Sequence, residues 1–155
     1  MKIPFSLLND FIHIARNYSN ESEVEIHADI YLNLDNGTFF TDFPKQNVSK
    51  YFCEVTEEPL DLAMKFFDIP HRKVLEIHSH NTMSPIPSPT DNQAERTNIL
   101  YVIVGKLQNF FPEITCRTFD LEKQIHIPLK IHQIFEHPFT ELHEEYELNT
   151  TEVSL

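Results

Sequence analysis

The chain has 155 residues, of which 41% are hydrophobic and 23% are charged, and this composition is typical of one soluble globular domain. Only two residues are glycine, so neither glycine-rich phosphate-binding loop, G-x-G-x-x-G or G-x-x-x-x-G-K-[ST], can be formed. The formal net charge of -12 disfavours binding to the phosphate backbone of nucleic acids.

The N-terminal residues and the two cysteines predict a cytoplasmic protein. No apolar run approaches the length of a membrane span, so we expect no membrane partner. Residues 1–5 lack the apolar core and the cleavage site of a signal peptide. Cys53 and Cys116 lie far apart in sequence and form no C-x-x-C pair, so we expect reduced thiols that pack as small apolar groups.

The first third of the chain predicts a helix followed by a β-hairpin. Apolar residues recur at helical spacing over residues 3–18. Residues 25–34 alternate between apolar and polar, which predicts a strand with one buried face. Residues 35–37, Asp-Asn-Gly, are a hairpin turn signal, and residues 38–41 form the returning strand.

The middle of the chain predicts a loop, a helix and a central strand. Residues 44–58 favour a loop, with a short strand near 51–55, and residues 60–67 predict a helix. The apolar-rich stretch at 73–80 predicts a strand. Three prolines make residues 81–89 an extended loop, because each fixes its own φ and biases its predecessor away from helix.

A short helix and the last strands complete the predicted domain. Thr90 and Gln93 fit a capping box, with Thr90 as the N-cap. Further strands are predicted at residues 100–104, 114–119 and 125–135. The class is α/β (mixed α+β), a single sheet with flanking helices, spanning residues 1–140. Residues 141–155 are rich in glutamate and predict a frayed acidic tail.

One stretch of sequence combines residues that suit a metal site. His78 and His80 are two apart on a strand, so both imidazoles point to the same face. Asp91 follows in the first turn of a helix and supplies a carboxylate. Two nitrogens and one oxygen from three side chains are typical of an open zinc site that keeps one position for water.

Such a site would support hydrolysis. Zinc lowers the pKa of bound water to about 7 and so provides a nucleophile at neutral pH. The reaction also needs a general base and a donor to the developing oxyanion. Ser88, three residues before Asp91, is a candidate for the donor, and a glutamate elsewhere in the chain is needed as the base.

The full spacing resembles the JAMM motif of the JAB/MPN-type zinc metalloproteases. It is H-x-H, seven residues, Ser, two residues, Asp, and it includes the P-S-x-x-D form common in that family. The resemblance implies a JAB/MPN-like (cytidine-deaminase-like) three-layer fold, with His78, His80 and Asp91 as Zn²⁺ ligands and Ser88 supporting the tetrahedral intermediate. It also implies a metallopeptidase or isopeptidase that hydrolyses an amide bond in a peptide or ubiquitin-like protein substrate.

In that family the general base is a glutamate between the first helix and the first long strand. Glu25 is preferred here, because Ala28 and Ile30 then follow it at the small and apolar strand positions, and Glu23 is the alternative. Asn81 stands where many members have proline. Together with Pro44-x-Gln46-x-Val48-Ser49, this pattern resembles a bacterial branch of the family more than the eukaryotic deubiquitinases.

Other interpretations remain open. The chain could be a non-catalytic MPN-type scaffold that retains the metal site. Ser88 could serve only as a helix cap, and Glu25 could be a solvated carboxylate. A nucleobase deaminase is a poor fit, because the chain has no C-x-x-C pair. The later histidines match no ligand pattern and are expected on the surface or at strand edges; they are His126, His132, His137 and His143.

Overall fold

The computed structural model describes residues 1–138, and the predicted acidic tail at 141–155 lies outside them. The helices are α1 (Phe5–Ser22), α2 (Pro59–Lys65), α3 (Pro89–Ala94) and α4 (Ile131–Ile134). The strands are β1 (His27–Asn33), β2 (Phe39–Asp42), β3 (Gln46–Val48), β4 (Cys53–Val55), β5 (His71–Ser79), β6 (Leu100–Gly105), β7 (Glu113–Asp120) and β8 (Ile125–Leu129). Within the described part of the chain, no helix combines the length and the apolar character that crossing a membrane requires.

Six strands form one mixed sheet in the order β2-β1-β5-β6-β7-β8, and β3 pairs with β4 in a separate hairpin. All neighbours in the large sheet are antiparallel except β5 and β6. A parallel pair needs a crossover connection, and α3 lies in this one. The predicted mixed class, with one main sheet and flanking helices, is confirmed, while the JAB/MPN-like assignment stays a prediction.

Helix α1 covers one face of the sheet. The predicted helix at 3–18 is present but starts at Phe5, after Pro4, and continues to Ser22. Its apolar side packs on alternate residues of the central strands, because alternate strand residues share a face. The buried residues that meet in this layer include Leu8, Phe11, Ile12, Ala15, Ala28, Ile30, Leu75, Ile77, Val102 and Val104. Each large side chain among them contributes roughly 1.5–3 kcal/mol through burial.

The opposite face of β1 is also buried, so the prediction of a strand with one buried side was wrong. Asp29 and Tyr31 are both buried. The Tyr31 ring lies 5.5 Å from Phe40 and 5.4 Å from Phe66, the residue after α2. Asp29 accepts a hydrogen bond from the His27 ring at 2.8 Å. Polar and aromatic residues at alternate positions indicate an exposed face only when no partner covers them.

The predicted last strand, residues 125–135, was too long. Strand β8 ends at Leu129, and the short helix α4 follows. Ile134 and Phe135 then enter the core, where the Ile3 amide donates to the Ile134 carbonyl at 2.9 Å. Ile125 and Ile127 are exposed on the edge strand, so their alternation with Leu129 does not mark a buried face.

The segment predicted as a loop at 44–58 contains the β3–β4 hairpin. The suggested strand near 51–55 is present as β4, and β3 was missed. The Ser49 side chain holds the turn by accepting hydrogen bonds from the amides of Tyr51 and Phe52. Cys116 is a buried free thiol as expected, while the free Cys53 is only half-buried.

Gly105 sets the position of the loop between β5 and α3. A Cβ at this position would overlap the carbonyl oxygen of Met83 and lie 2.7 Å from the nitrogen of Pro85. The loop therefore passes directly over the end of β6, and only glycine leaves room for it there. This close approach begins the path that returns the chain from His80 towards Asp91.

Candidate metal centre

His78 and His80 lie at the carboxyl end of β5, in the middle of the sheet. His78 is the second-last residue of the strand, and His80 follows the last one. Their side chains are only 12% and 10% exposed. The two Nε2 atoms lie 3.1 Å apart, as expected for residues on one face of an extended chain.

Asp91 completes the group from the first turn of α3. One carboxylate oxygen lies 3.4 Å from Nε2 of His78, and the other lies 3.4 Å from Nε2 of His80. One ligand atom from each of the three residues lies within 4.8 Å of the others. The structure thus brings together the three side chains that the sequence predicted as metal ligands.

The backbone fixes the orientation of the His80 ring. Nδ1 of His80 lies 3.0 Å from the carbonyl oxygen of Ser84. A carbonyl oxygen only accepts hydrogen bonds, so Nδ1 must carry the proton and donate it. In the neutral ring Nε2 then carries the lone pair, which is the tautomer that a metal-binding histidine needs, whereas in the protonated ring Nε2 donates towards Asp91.

The charges in this group favour a cation at its centre. Burial opposes ionisation of Asp91, but hydrogen bonds from His78 and His80 outweigh it and hold the pKa of Asp91 far below its usual range. Burial also opposes the charged form of His80, yet its bonds to Asp91 and Ser84 and the charges of Glu25 and Asp91 raise the pKa of His80.

The donor set fits a transition-metal ion. Two neutral imidazole nitrogens 3.1 Å apart would direct their lone pairs at each other, and this contact is favourable only with a proton or a metal ion between them. Two nitrogens and one carboxylate oxygen match the ligands of catalytic zinc sites, and three protein ligands leave one position open.

Glu25 lies in the turn between α1 and β1 and is buried, with 4% of its surface exposed. Burial raises the pKa of Glu25 to about 7, with the charge of His80 opposing this shift and that of Asp91 adding to it. These interactions place Glu25 in the electrostatic field of the three candidate ligands. The alternative residue, Glu23, is exposed and ends α1 with a left-handed φ of 53°.

Ser88 is the N-cap of α3, so the predicted capping box at Thr90 and Gln93 was wrong. The Asp91 amide donates to Oγ of Ser88 at 3.1 Å, and the Ser88 amide donates to Oδ2 of Asp91 at 2.8 Å. Pro89 explains the difference, because proline is favoured at the first helical position, so the cap is the residue before it, Ser88, two residues before the predicted Thr90. The hydroxyl of Ser88 accepts in this bond and keeps its own proton available to donate.

Asn81 is a site residue whose role the sequence did not indicate. It has a φ of 53°, which proline cannot adopt. Its side-chain amide donates to the carbonyls of Glu23 at 3.1 Å and Lys50 at 2.8 Å. Asn81 therefore connects the end of β5 to the turn that holds Glu25 and to the β3–β4 hairpin. In the sequence, the only signal was the asparagine at a position where the JAMM resemblance leads to an expected proline.

Cys53 in β4 also faces this region. Burial raises the pKa of the Cys53 thiol to about 12, and the charges of Glu25 and Asp91 add to the shift. The thiol is therefore neutral at physiological pH and is not a nucleophile.

A buried ion pair lies behind α3 and was not predicted. Arg117 of β7 and Glu95, the residue after α3, are both buried. Nε of Arg117 donates to Oε2 of Glu95 at 3.1 Å, and Nη2 of Arg117 donates to the same oxygen. Residues 22 positions apart in sequence form this pair, so no local pattern could have indicated it.

Comparison with known proteins establishes the fold alone. A scan against protein-family models finds no match, and a search of curated proteins finds no significant match. The solution structure of protein DSY2949 from Desulfitobacterium hafniense is similar over 92% of this chain and 97% of its own, with a TM-score of 0.64 and 14% identity. A solution structure of a protein from Salinibacter ruber is similar over 89% of this chain and 93% of its own, with a TM-score of 0.56 and 17% identity.

Proposed function

We propose that this protein is a zinc-dependent metallopeptidase or isopeptidase of the JAMM type, and that it hydrolyses an amide bond. The observation that carries the proposal is the convergence of His78, His80 and Asp91, with ligand atoms within 4.8 Å of one another. The buried Glu25 beside this group supports it, because a hydrolase of this kind needs a base next to the metal.

His78, His80 and Asp91 are the residues that would hold Zn²⁺. When bound, zinc supplies an activated water and polarises the substrate carbonyl. The Nδ1 bond of His80 to Ser84 keeps Nε2 directed at the ion. The hydrogen bond from the Ser88 amide to Oδ2 of Asp91 fixes the carboxylate in the same way.

Glu25 is the proposed general base. A base with a pKa near 7 is ionised often enough at neutral pH to accept a proton and strong enough as an acid to return it. Glu25 would take the proton from the attacking water and pass it to the leaving amine. Ser88 would donate its hydroxyl proton to the oxygen of the attacked carbonyl, since Oγ already accepts the Asp91 amide.

The proposed substrate is a peptide or the tail of a ubiquitin-like protein, bound as an extended strand beside the site. The β3–β4 hairpin is a suitable neighbour, because Cys53 of β4 lies within the field of Glu25 and Asp91. The net charge of -12 argues against nucleic acid as a substrate. Two free thiols fit our placement of the protein in the reducing cytoplasm.

The test compares the protein with its Glu25→Gln variant. Each is assayed for zinc content and for cleavage of peptides, small amide conjugates and ubiquitin-like fusions. The proposal predicts that Glu25→Gln keeps the zinc. Its turnover should fall by about 100-fold to 10⁴-fold, which is the usual contribution of a general base. Full activity in this variant would remove Glu25 from the mechanism and direct the search to Glu23.

A non-catalytic scaffold that retains the metal site is the second candidate. It is favoured by the same ligand geometry, because metal binding alone does not require turnover. Stoichiometric zinc without cleavage of any substrate class in the screen would support the scaffold and contradict the peptidase.

A further inference from the structure

Helix α3 carries one proposed site residue and is capped by another, but it has no buried side chain of its own. It has six residues, begins with Pro89 and includes Asp91, while Ser88 caps it. Burial of apolar side chains therefore cannot hold this helix on the sheet. Polar contacts must fix the distance between Asp91 and the two histidines of β5.

Arg117 supplies most of these contacts from the face of β7. Its guanidinium donates two hydrogen bonds to Glu95 and a third, at 2.7 Å, from Nη1 to Oδ1 of Asn92. The Glu95 amide in turn donates to the carbonyl of Asp91 at 2.9 Å. The arginine thus bonds to residues one and four positions after the aspartate.

His126 of the edge strand β8 adds a contact to the same point. Its Nε2 lies 2.7 Å from the carbonyl oxygen of Glu95, so the ring donates this bond. The end of α3 is therefore bonded to two adjacent strands, β7 and β8. The start of α3 is held by its own capping box, by the loop that passes over Gly105 and by the contacts of Asp91 with His78 and His80.

We infer that Arg117 and Glu95 are positioning residues for the metal centre, which hold α3 at the distance from β5 that lets Asp91 share an ion with His78 and His80. This inference rests on the proposed function, because it presupposes that the three side chains bind a metal. Outer contacts that orient metal ligands typically affect metal affinity by 10–100-fold. Arginine suits this role better than lysine, because its planar fork makes several bonds at fixed angles.

The experiment makes two measurements on each of four chains. Competition with a chelator gives the zinc affinity, and Co²⁺ substitution gives an absorption spectrum of the metal site. The four chains are the native chain, Arg117→Lys, Asn92→Ala and the control Arg72→Lys. Arg72 is an exposed arginine on β5 of the same sheet, so its replacement keeps the charge and alters no contact to α3. Circular dichroism at the assay temperature verifies that each chain is folded.

We expect Arg117→Lys to weaken zinc binding by about 10–100-fold and to change the Co²⁺ bands, because Asp91 moves relative to the histidines. Asn92→Ala removes one contact at an exposed position and should weaken binding by a few-fold while the chain stays folded. Arg72→Lys should match the native chain. A general loss of stability alone would not change the Co²⁺ spectrum of the folded fraction.

The outcomes separate this inference from the proposed function. Native affinity and an unchanged Co²⁺ spectrum in both Asn92→Ala and Arg117→Lys would overturn the positioning role while leaving the metal site intact. If Arg117→Lys does not fold, Asn92→Ala alone decides the question in the same way. A native chain that binds no zinc would overturn the proposed function and this inference with it.

Discussion

Ser88 and Asp91 hold each other in place at the start of α3, since the backbone amide of each donates a hydrogen bond to the side chain of the other. One residue is the proposed donor to the oxyanion, and the other is a proposed metal ligand. The reciprocal bonds therefore connect two functions to a single piece of local structure. A change in either residue should alter both helix stability and the metal site.

Ser88→Ala should lower the free energy of unfolding by about 1 kcal/mol, the usual effect of removing a serine N-cap. It should also weaken zinc binding, because the first turn then holds Asp91 less firmly. Urea denaturation of the metal-free protein measures the first effect, and chelator competition measures the second. Thr90→Ala is the matched control, because Thr90 is exposed and does not cap the helix. Equal losses in the two variants would contradict the assignment of the cap.

Because the pKa of Glu25 is raised, we expect the stability of the metal-free protein to depend on pH in an unusual way. The folded pKa, about 7, lies above the ordinary value of 4.5, so the folded state binds more protons than the unfolded state between these values. Stability from this group is therefore complete below pH 4.5 and is lost as pH rises through 7.

Glu25→Gln removes this titration and keeps the shape of the side chain. The free energy of unfolding of the variant minus that of the native chain should be larger at pH 8 than at pH 5. The increase should be about 1–3 kcal/mol, because one pKa unit corresponds to about 1.4 kcal/mol. Urea denaturation of the chelator-treated proteins at both pH values measures the difference. A stability difference between variant and native chain that does not change with pH would show that Glu25 is not a desolvated carboxyl group. Adding zinc should reduce the effect, because a nearby cation favours the ionised form.

Asn81→Gly tests the connection between β5 and the turn that holds Glu25. Glycine keeps the left-handed backbone but loses the two bonds to the carbonyls of Glu23 and Lys50. The variant should lose about 1–3 kcal/mol of unfolding free energy, since the two hydrogen bonds that the buried Asn81 side chain donates are lost. Gln124→Gly is the control, because Gln124 has a similar φ of 56° at an exposed position. A loss in Gln124→Gly as large as that in Asn81→Gly would assign the effect to the backbone rather than to the side-chain bonds.

Gly105→Ala should disturb the loop that joins His80 to α3. The added methyl group would overlap Met83 and Pro85, so the loop must move away from β6. We expect a loss of about 1–3 kcal/mol in stability, as for other overpacked sites, together with weaker zinc binding. Gly37→Ala at the β1–β2 turn is the comparison, because its cost comes from a φ of 72° alone and should leave zinc affinity unchanged. Unaltered zinc affinity in Gly105→Ala would mean that the loop does not fix Asp91.

The sequence predicted the parts of the site that depend on local spacing. His78 and His80 share a face because strands have a period of two, and Asp91 follows after a loop that its prolines make extended. The cap was misplaced by two residues because Thr90-x-x-Gln93 and Ser88-x-x-Asp91 overlap, and only the preference of Pro89 for the first helical position separates them.

The contacts that hold these parts together could not be predicted in the same way. Arg117 pairs with Glu95 across 22 residues, and Asn81 reaches Glu23 across 58. Such pairs depend on the order of the strands and on register, which the pattern of apolar residues does not specify. For the same reason the second face of β1 was mistaken for an exposed one, since the rings of Phe40 and Phe66 that cover Tyr31 come from other elements.

The central claim is that two imidazoles and one carboxylate bind one metal ion. Its most direct test is the zinc content of the purified protein after equilibration with a weak chelator, compared with His80→Ala and with His13→Ala, the latter replacing an exposed histidine of α1. We predict about one zinc ion per chain in the native protein and in His13→Ala, and almost none in His80→Ala, which loses one of three ligands. A native chain free of zinc, or a His80→Ala variant that keeps it, would contradict the account.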